Sequence, residues 1–484
     1  MTDDRGERSD GESAGLGWAD SDDMSAFETL MWRAEADPAL RSTMVAVADL
    51  DAVPDWTRLV TAHEWATRMV PRFRKRVVEP PLGLGAPVWS ADPDFDLARH
   101  VRRVSVPEGE GWAGVLALAE HLATTPFDRQ RPPWEALLVE GLPDGRAAYL
   151  LKMHHVTTDG LGSVQLFSGL LNRHRETDPD KPQPRAPEQD GPGPWSALGR
   201  QVRHDAEALA AVPVHMVRAV GAALRDPIAR AREAVAFGLS AIRVIGDPGA
   251  TASPLLAERG PDWRFVAMEL PFAPFRAAAK AGGGSVNDAY VAALLGAFRL
   301  YHQARGVPAD EIRMAIPVSL RSEGDDAGGN RIASLRLTGH LAEKDPAERM
   351  ARVAADVARG MAEPAADDIG LVSPLLARLP GSVIAAVAGG ITKGNDLQAS
   401  NVPGIREEVF LAGARVDRMF PYAPRPGCAA MITMLTHGDT CCVGVNLDPA
   451  AITDRTLFGR CLVEGFAEVL ALGPGVPPEP LLRR

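Results

Sequence analysis

Apolar residues return at helical spacing in M-S-A-F-E-T-L-M-W-R-A-E, where Phe27, Leu30, Met31 and Ala34 share a face flanked by Glu28 and Glu35. Glu28 has two open readings there, a solvated helix carboxylate or a functional one. The pattern then predicts a strand over Thr43 to Asp49 and a helix over Trp56 to Met69. A further helix is predicted over Glu110 to Leu122 and a strand over Ala136 to Glu140, followed by a tight L-P-D-G-R turn at 142–146. Tyr149, Leu150, Leu151 and Met153 mark a further strand, and Val164, Phe167 and Leu171 form one stripe of a helix over Leu161 to Asn172.

The second half repeats the mixture. Arg264 to Leu270 reads as a strand and Phe272 to Ala281 as a helix, with a break at Gly282-Gly283-Gly284. A strong helix covers 285–301; Ser285 can cap it and Asp288 lies in its first turn, so Asn287 stands near a positive helix end. Strands follow at 314–321 and Ile332 to Leu341, then a helix over Pro346 to Ala362 and an apolar helical stretch at 371–391. S-N-V-P-G at 400–404 reads as a turn between strands, 409–448 alternates strand and turn, and Asp454 to Leu472 closes with a helix. Strands and helices in both halves argue for α/β sandwiches with mixed sheets.

Composition divides this pattern. With 484 residues the soft prior is about three domains, with two also compatible. Met1 to Asp23 carries eight acids against two arginines and reads as a disordered extension, so structure is expected from Met24. Glu176 to Trp195 holds six prolines and no periodicity, which marks a linker. Ala197 to Leu239 reads as one or two amphipathic helices bridging the halves. Met216, Val217, Val220 and Leu224 would rest either on a membrane or, the commoner use, against the body. The expected units are therefore an extension (1–23), a first domain (24–175), a linker with bridging helices (176–252) and a second domain (253–484). The net charge of -11 argues against nucleic acid as a partner. Cys428, Cys441, Cys442 and Cys461 show no metal spacing and read as reduced, buried thiols of a cytoplasmic protein. No apolar run is long enough to suggest a membrane span.

The chemistry concentrates at the end of the strand that opens at Ala147, where His154 and His155 are followed by three residues and Asp159-Gly160. Successive strand side chains point to opposite faces, so only one of the two imidazoles faces a given cleft. Histidine is suited to take a proton from a hydroxyl or thiol near neutral pH. Asp159 would orient the imidazole or hold the loop through an arginine, and Gly160 permits a tight turn and leaves room for substrate. A lone strand-end histidine is usually only a hydrogen-bonded core residue. The full H-H-x-x-x-D-G pattern is far rarer, arising by chance in roughly one of several hundred chains of this length. The basic cluster Arg72, Arg74, Lys75 and Arg76 is compatible with phosphate binding, although a solvated strand face is the commoner use.

H-H-x-x-x-D-G resembles the signature of the chloramphenicol acetyltransferase-like acyltransferases. Further motifs occur in the order of the bacterial wax ester synthase/acyl-CoA:diacylglycerol acyltransferase family. They are R-F-R-K-R, the stretch with Trp89, Asp92, Phe95, Asp96, Leu97 and His100, P-F-D-R-Q-R-P-P-W-E at 126–135, V-N-D, P-V-S-L-R with the later Gly329-Asn330, and S-N-V-P-G. The stretch 31–43 resembles actinobacterial members. The resemblance spans about Met24 to Leu470.

It implies two chloramphenicol acetyltransferase-like α/β halves with a tunnel between them. His155 would be the general base on the hydroxyl of a long-chain alcohol or diacylglycerol, and acyl-CoA the acyl donor and co-substrate; no cofactor or metal is implied. His154 would support it from the opposite strand face. Asp159 would stabilise the loop, pairing with an arginine such as Arg321, and Asn287 would donate to the oxyanion. Peripheral contact with membranes or lipid inclusions fits such substrates. Pro133, Ile405 and R-G-P-D-W-R-F depart from the family pattern at places that bear on acceptor preference. The rival readings are a carrier-protein-dependent condensation or polyketide-associated acyltransferase, and a non-catalytic lipid-inclusion protein.

Overall fold

The computed structural model describes residues 21–81, 85–158, 169–176, 184–187, 191–196, 199, 203, 253–319, 332–362 and 394–483. The expected helices over 161–172 (apart from its end) and 371–391, the bridging region 197–239 (apart from residues 199 and 203), and Asp159, Gly160, Arg321, Gly329 and Asn330 lie outside the described residues.

In the first half the elements are α1 (Ala26–Ala34), β1 (Thr43–Leu50), α2 (Trp56–Met69), β2 (Lys75–Val78), β3 (Val88–Ala91), α3 (Leu97–His100), β4 (Val101–Ser105), α4 (Gly111–Thr124), β5 (Trp134–Glu140) and β6 (Ala147–His154). The second half continues with β7 (Arg264–Pro271), α5 (Phe272–Ala281), α6 (Val286–Ala304), β8 (Glu311–Ser319), β9 (Ile332–His340) and α7 (Pro346–Met361). It ends with β10 (Leu397–Val402), β11 (Phe410–Leu411), β12 (Ala414–Tyr422), β13 (Ala430–His437), β14 (Thr440–Leu447), α8 (Arg455–Leu470) and β15 (Leu481–Arg483).

Local chemistry accounts for the helix starts. The Asp55 carboxylate accepts the Arg58 N–H, so α2 begins at Trp56 as periodicity predicts. Ser285 and Asp288 form a reciprocal capping box that starts α6. Ser25 and Glu28 do the same for α1, and Glu28 is only 3% exposed, with Oε1 3.6 Å from an Arg72 guanidinium nitrogen. Glu28 is thus a buried cap rather than a solvated carboxylate.

The basic cluster is also not a solvated face. Arg72 lies buried over the Trp89 ring at 4.8 Å, and Arg74 lies over Phe95 while pairing with Glu64 at 2.7 Å. Lys75 pairs with Asp22 at 3.1 Å, and Trp89 N–H donates to Asp22 O, which ties residues 22–23 to β3.

Both sheets are mixed. One runs β11-β12-β1-β6-β5-β4 and the other β15-β7-β14-β13-β10-β8-β9, with β2-β3 as a separate ribbon. β11 and β12 come from the second half of the chain but complete the sheet of the first half, β12 pairing antiparallel with β1. Ser400, Asn401 and Val402 belong to β10 and pair in parallel with Thr433, Met434 and Leu435, so the turn expected over 400–404 begins only at Pro403. Gly404 then passes against β13, where a Cβ would meet Thr436 O at 2.1 Å.

The two sheets meet around one apolar cluster. Val45, Val47, Leu150 and Tyr422 from the first pack with Phe265 of β7 and with Trp263 just before it, and Phe265 stacks on Tyr422 with centroids 4.0 Å apart. Gly444 on β14 lies so close to β12 that a Cβ would meet Pro421 O at 1.9 Å. Ion pairs cross the same junction: Arg483 to Asp49 at 2.8 Å and Arg418 to Glu269 at 2.6 Å. All four cysteines are buried free thiols.

Candidate active site

β6 runs through the middle of the first sheet between β1 and β5, with every residue from Ala147 to His154 buried. Its end is fixed on both sides. His154 N–H donates to Pro133 O at 3.0 Å, and the next residue's N–H, that of His155, donates to Ser42 O at 2.8 Å. The chain then turns, with Thr157 N–H donating to His154 O at 2.9 Å.

The two imidazoles have different surroundings. His154 is fully buried, its ring edge-on to Trp32 at 5.1 Å. Its Nδ1 accepts the Val156 N–H at 3.1 Å, which places the proton of the neutral ring on Nε2. Nε2 stands 3.1 Å from Glu35 Oε1, and the same oxygen accepts the Ser42 N–H at 2.9 Å. Glu35 therefore braces the turn twice, through the His154 ring and through the peptide whose neighbouring carbonyl holds His155. His155 lies at the turn itself and is half-buried.

Burial would raise the Glu35 carboxyl, but His154, the Ser42 N–H and Arg129 outweigh it and hold the pKa at about 2. A depressed folded value makes its stabilisation complete above the ordinary carboxylate pKa and lost as pH falls towards 2. Glu35→Gln is expected to cost about 1–3 kcal/mol at neutral pH. In melting scans across pH, the gap to wild type should close between about pH 4.5 and pH 2; a gap constant with pH would refute the brace.

Lys152 lies two residues before His154 on the same strand face and is also fully buried. Its ammonium donates to Thr125 O at 2.9 Å, pairs with Glu135 at 3.1 Å and sits 4.1 Å from the Phe127 ring centre. Burial pulls its pKa down, and Glu135 opposes that pull. Phe127 in turn faces the His154 ring at 5.9 Å. On the opposite face, His63 Nδ1–H donates to Leu59 O and Nε2 accepts the Tyr149 hydroxyl, while burial holds this ring's pKa at about 4.

Asn287 is the second residue of α6 and is half-buried. Among the described residues no three His, Cys, Asp or Glu side chains gather as metal ligands. Glu35 and Lys152 were not singled out from sequence. The sequence signal for Lys152 was a cation inside an otherwise apolar strand; that for Glu35 was only an acid at the end of a helical face.

Several of the motif residues build the core of the same sheet. The Trp134 indole N–H donates to Phe73 O, and His100 stacks on the Trp134 ring at 4.6 Å while its Nδ1–H donates to Trp134 O.

The model of the wax ester synthase/diacylglycerol acyltransferase catalytic domain matches residues 21–290, and that of the WS/DGAT C-terminal domain matches 328–469. The chain belongs to this family. It is 40% identical over 472 residues, 95% of this chain and 94% of the relative, to a Mycobacterium tuberculosis (strain H37Rv) protein named "Putative diacyglycerol O-acyltransferase". Its fold is that of the wax ester synthase/diacylglycerol acyltransferase from Marinobacter aquaeolei VT8, at a TM-score of 0.59 and 20% identity, covering 92% of this chain and 98% of that one. The first condensation domain of the calcium-dependent antibiotic synthetase shares the fold equally, at 0.59 and 17% identity, covering 96% and 100%. The two-sandwich α/β architecture expected from the motifs is therefore the observed one, and the family is one of acyltransferase enzymes. Among the described residues no helix is long and apolar enough to cross a membrane.

Proposed function

We propose that this protein moves a long-chain acyl group from acyl-CoA to the hydroxyl of a fatty alcohol or diacylglycerol, with His155 as general base. The observation that carries the proposal is the division between the two histidines. His154 is fully buried, with Nδ1 accepting the Val156 N–H and Nε2 3.1 Å from the Glu35 carboxylate, whereas His155 stands only half-buried at the turn that ends β6.

In this reading His155 takes the hydroxyl proton as the oxygen attacks the thioester carbonyl. The tetrahedral intermediate collapses by breaking the carbon–sulfur bond, and the proton passes from the imidazolium to the leaving thiolate, giving ester and free CoA. Asn287, at the positive end of α6, would donate its side-chain amide to the oxyanion, a contact typically worth about 10²–10³ in rate. Asp159 and Gly160 would shape the loop after the histidines. The chemistry needs only the two substrates, with no metal or bound cofactor assigned to it. Association with membranes or lipid inclusions is part of the proposal, since both acceptors partition into lipid.

The test is purified protein with labelled palmitoyl-CoA and either hexadecanol or diolein, followed by lipid separation. A labelled ester is expected. No ester with any alcohol, but transfer from an acylated carrier protein, would favour the condensation-type reading, which shares this fold.

A further inference from the structure

A cleft of about 450 Å³ opens beside the His154 brace, within the usual 300–1,000 Å³ of small-molecule sites. Its lining includes Arg76, Glu79, Ser90, Arg129, Gln130 and Pro192. The β2–β3 ribbon supplies one wall and residues 129–130 another. The third, 191–194, is fitted to the ribbon: a Cβ on Gly191 would meet Ser90 Oγ and Ala91 N at 2.5 Å.

The charge in this cleft is unbalanced. Glu79 is already taken by Arg33 at 2.8 Å. Among the described residues neither Arg76 nor Arg129 forms an ion pair, and Arg76 Nε is buried without a hydrogen-bond partner. Arg129 donates to Trp32 O and lies over that indole at 4.5 Å; its field reaches Glu35 without pairing. His154 also packs against the Trp32 ring, at 5.1 Å. Two guanidinium groups sharing a cleft with no carboxylate of their own make a receptor for phosphate oxygens. Trp195, 75% exposed, follows directly after the cleft wall at Pro194 and offers an aromatic face of the kind on which a purine stacks.

We propose that this cleft binds the phosphorylated adenosine end of the acyl-CoA donor, with Arg76 as a specificity-determining residue. The inference rests on the acyl-CoA reading above for its ligand, but its test does not depend on ester formation. Binding of adenosine 3′,5′-bisphosphate and of inorganic pyrophosphate is measured by calorimetry on wild type, Arg76→Ala and the closer-shaped Arg76→Gln. Kinetics are compared for palmitoyl-CoA and for palmitoyl-pantetheine, which lacks the nucleotide.

The bisphosphate is expected to bind wild type more tightly than pyrophosphate and to weaken about tenfold or more in both variants. The KM for palmitoyl-CoA should rise by a similar factor at unchanged kcat, while the KM for palmitoyl-pantetheine stays put. Three results each overturn the assignment: no bisphosphate binding to wild type, equal binding by wild type and Arg76→Gln, or an equal KM rise for both donors. Pyrophosphate binding as tightly as the bisphosphate also overturns it, leaving a bare phosphate site. Arg76-dependent nucleotide binding in a protein that forms no ester supports the cleft and removes the acyl-transfer reading instead.

Discussion

His155→Ala is expected to lower kcat for ester formation by at least about two orders of magnitude, with KM for palmitoyl-CoA little changed and the melting temperature close to wild type. The size follows from the share of rate that a placed general base supplies, about 10²–10⁴. The preserved stability follows from how the turn is built. Its bond to Ser42 O uses the backbone N–H of His155, which alanine retains.

His154→Ala should behave differently, because it empties a fully buried site against Trp32 and leaves Glu35 facing a void. It should lose both stability and activity. Steady-state kinetics beside thermal melts on the two variants separate the roles. Normal turnover by His155→Ala would end the assignment of the base.

Much of the fold was readable where the determining forces are local. The bounds of α2 and α5 coincide with those read from the sequence, and the Ser285 cap expected there forms, with Asp288 closing it reciprocally. The extended pairing of Ser400–Val402 was missed because Pro403-Gly404 is a strong turn signal and β10 ends directly before it. The alternation of strand and turn signals marked 409–448 as strand-rich. It carries no information about which sheet accepts a strand, and β12 crosses to β1 of the other half.

Charged residues were misjudged for a related reason. Burial of Glu28 and Arg72 depends on each finding the other, and on Trp89 to cover the guanidinium, across more than 40 residues of chain. The histidine pair was legible as a motif. The Glu35 brace was not, since nothing near residue 35 in the chain shows that β6 will end beside it. The core role of Trp134 and His100 is likewise a contact between distant segments, so the motifs pointed to the family before they pointed to a physical task.

The largest stability effect is expected at Arg425. The Arg425–Asp448 pair is completely buried at 2.7 Å. Burial pulls the Arg425 pKa down, and Asp448 opposes that pull. Its guanidinium also donates to Cys428 O, Gly260 O and Asp262 O, while Asp448 accepts the Gly260 and Ala450 N–H groups. One pair thus fastens the lead-in to β7, the turn before β13 and the turn after β14. Trp263 and Phe265, which carry the contact between the sheets, follow the fastened residues directly. Arg425→Met leaves a buried carboxylate without its cation, and the expected loss is about 3–5 kcal/mol in denaturant unfolding. Asp448→Asn should cost a similar amount by stranding the guanidinium. The double variant should lose less than the sum of the two, since neither charge is then left alone. Strict additivity in that cycle would mean that the two side chains act independently and that the junction between the halves is held by its apolar contacts instead.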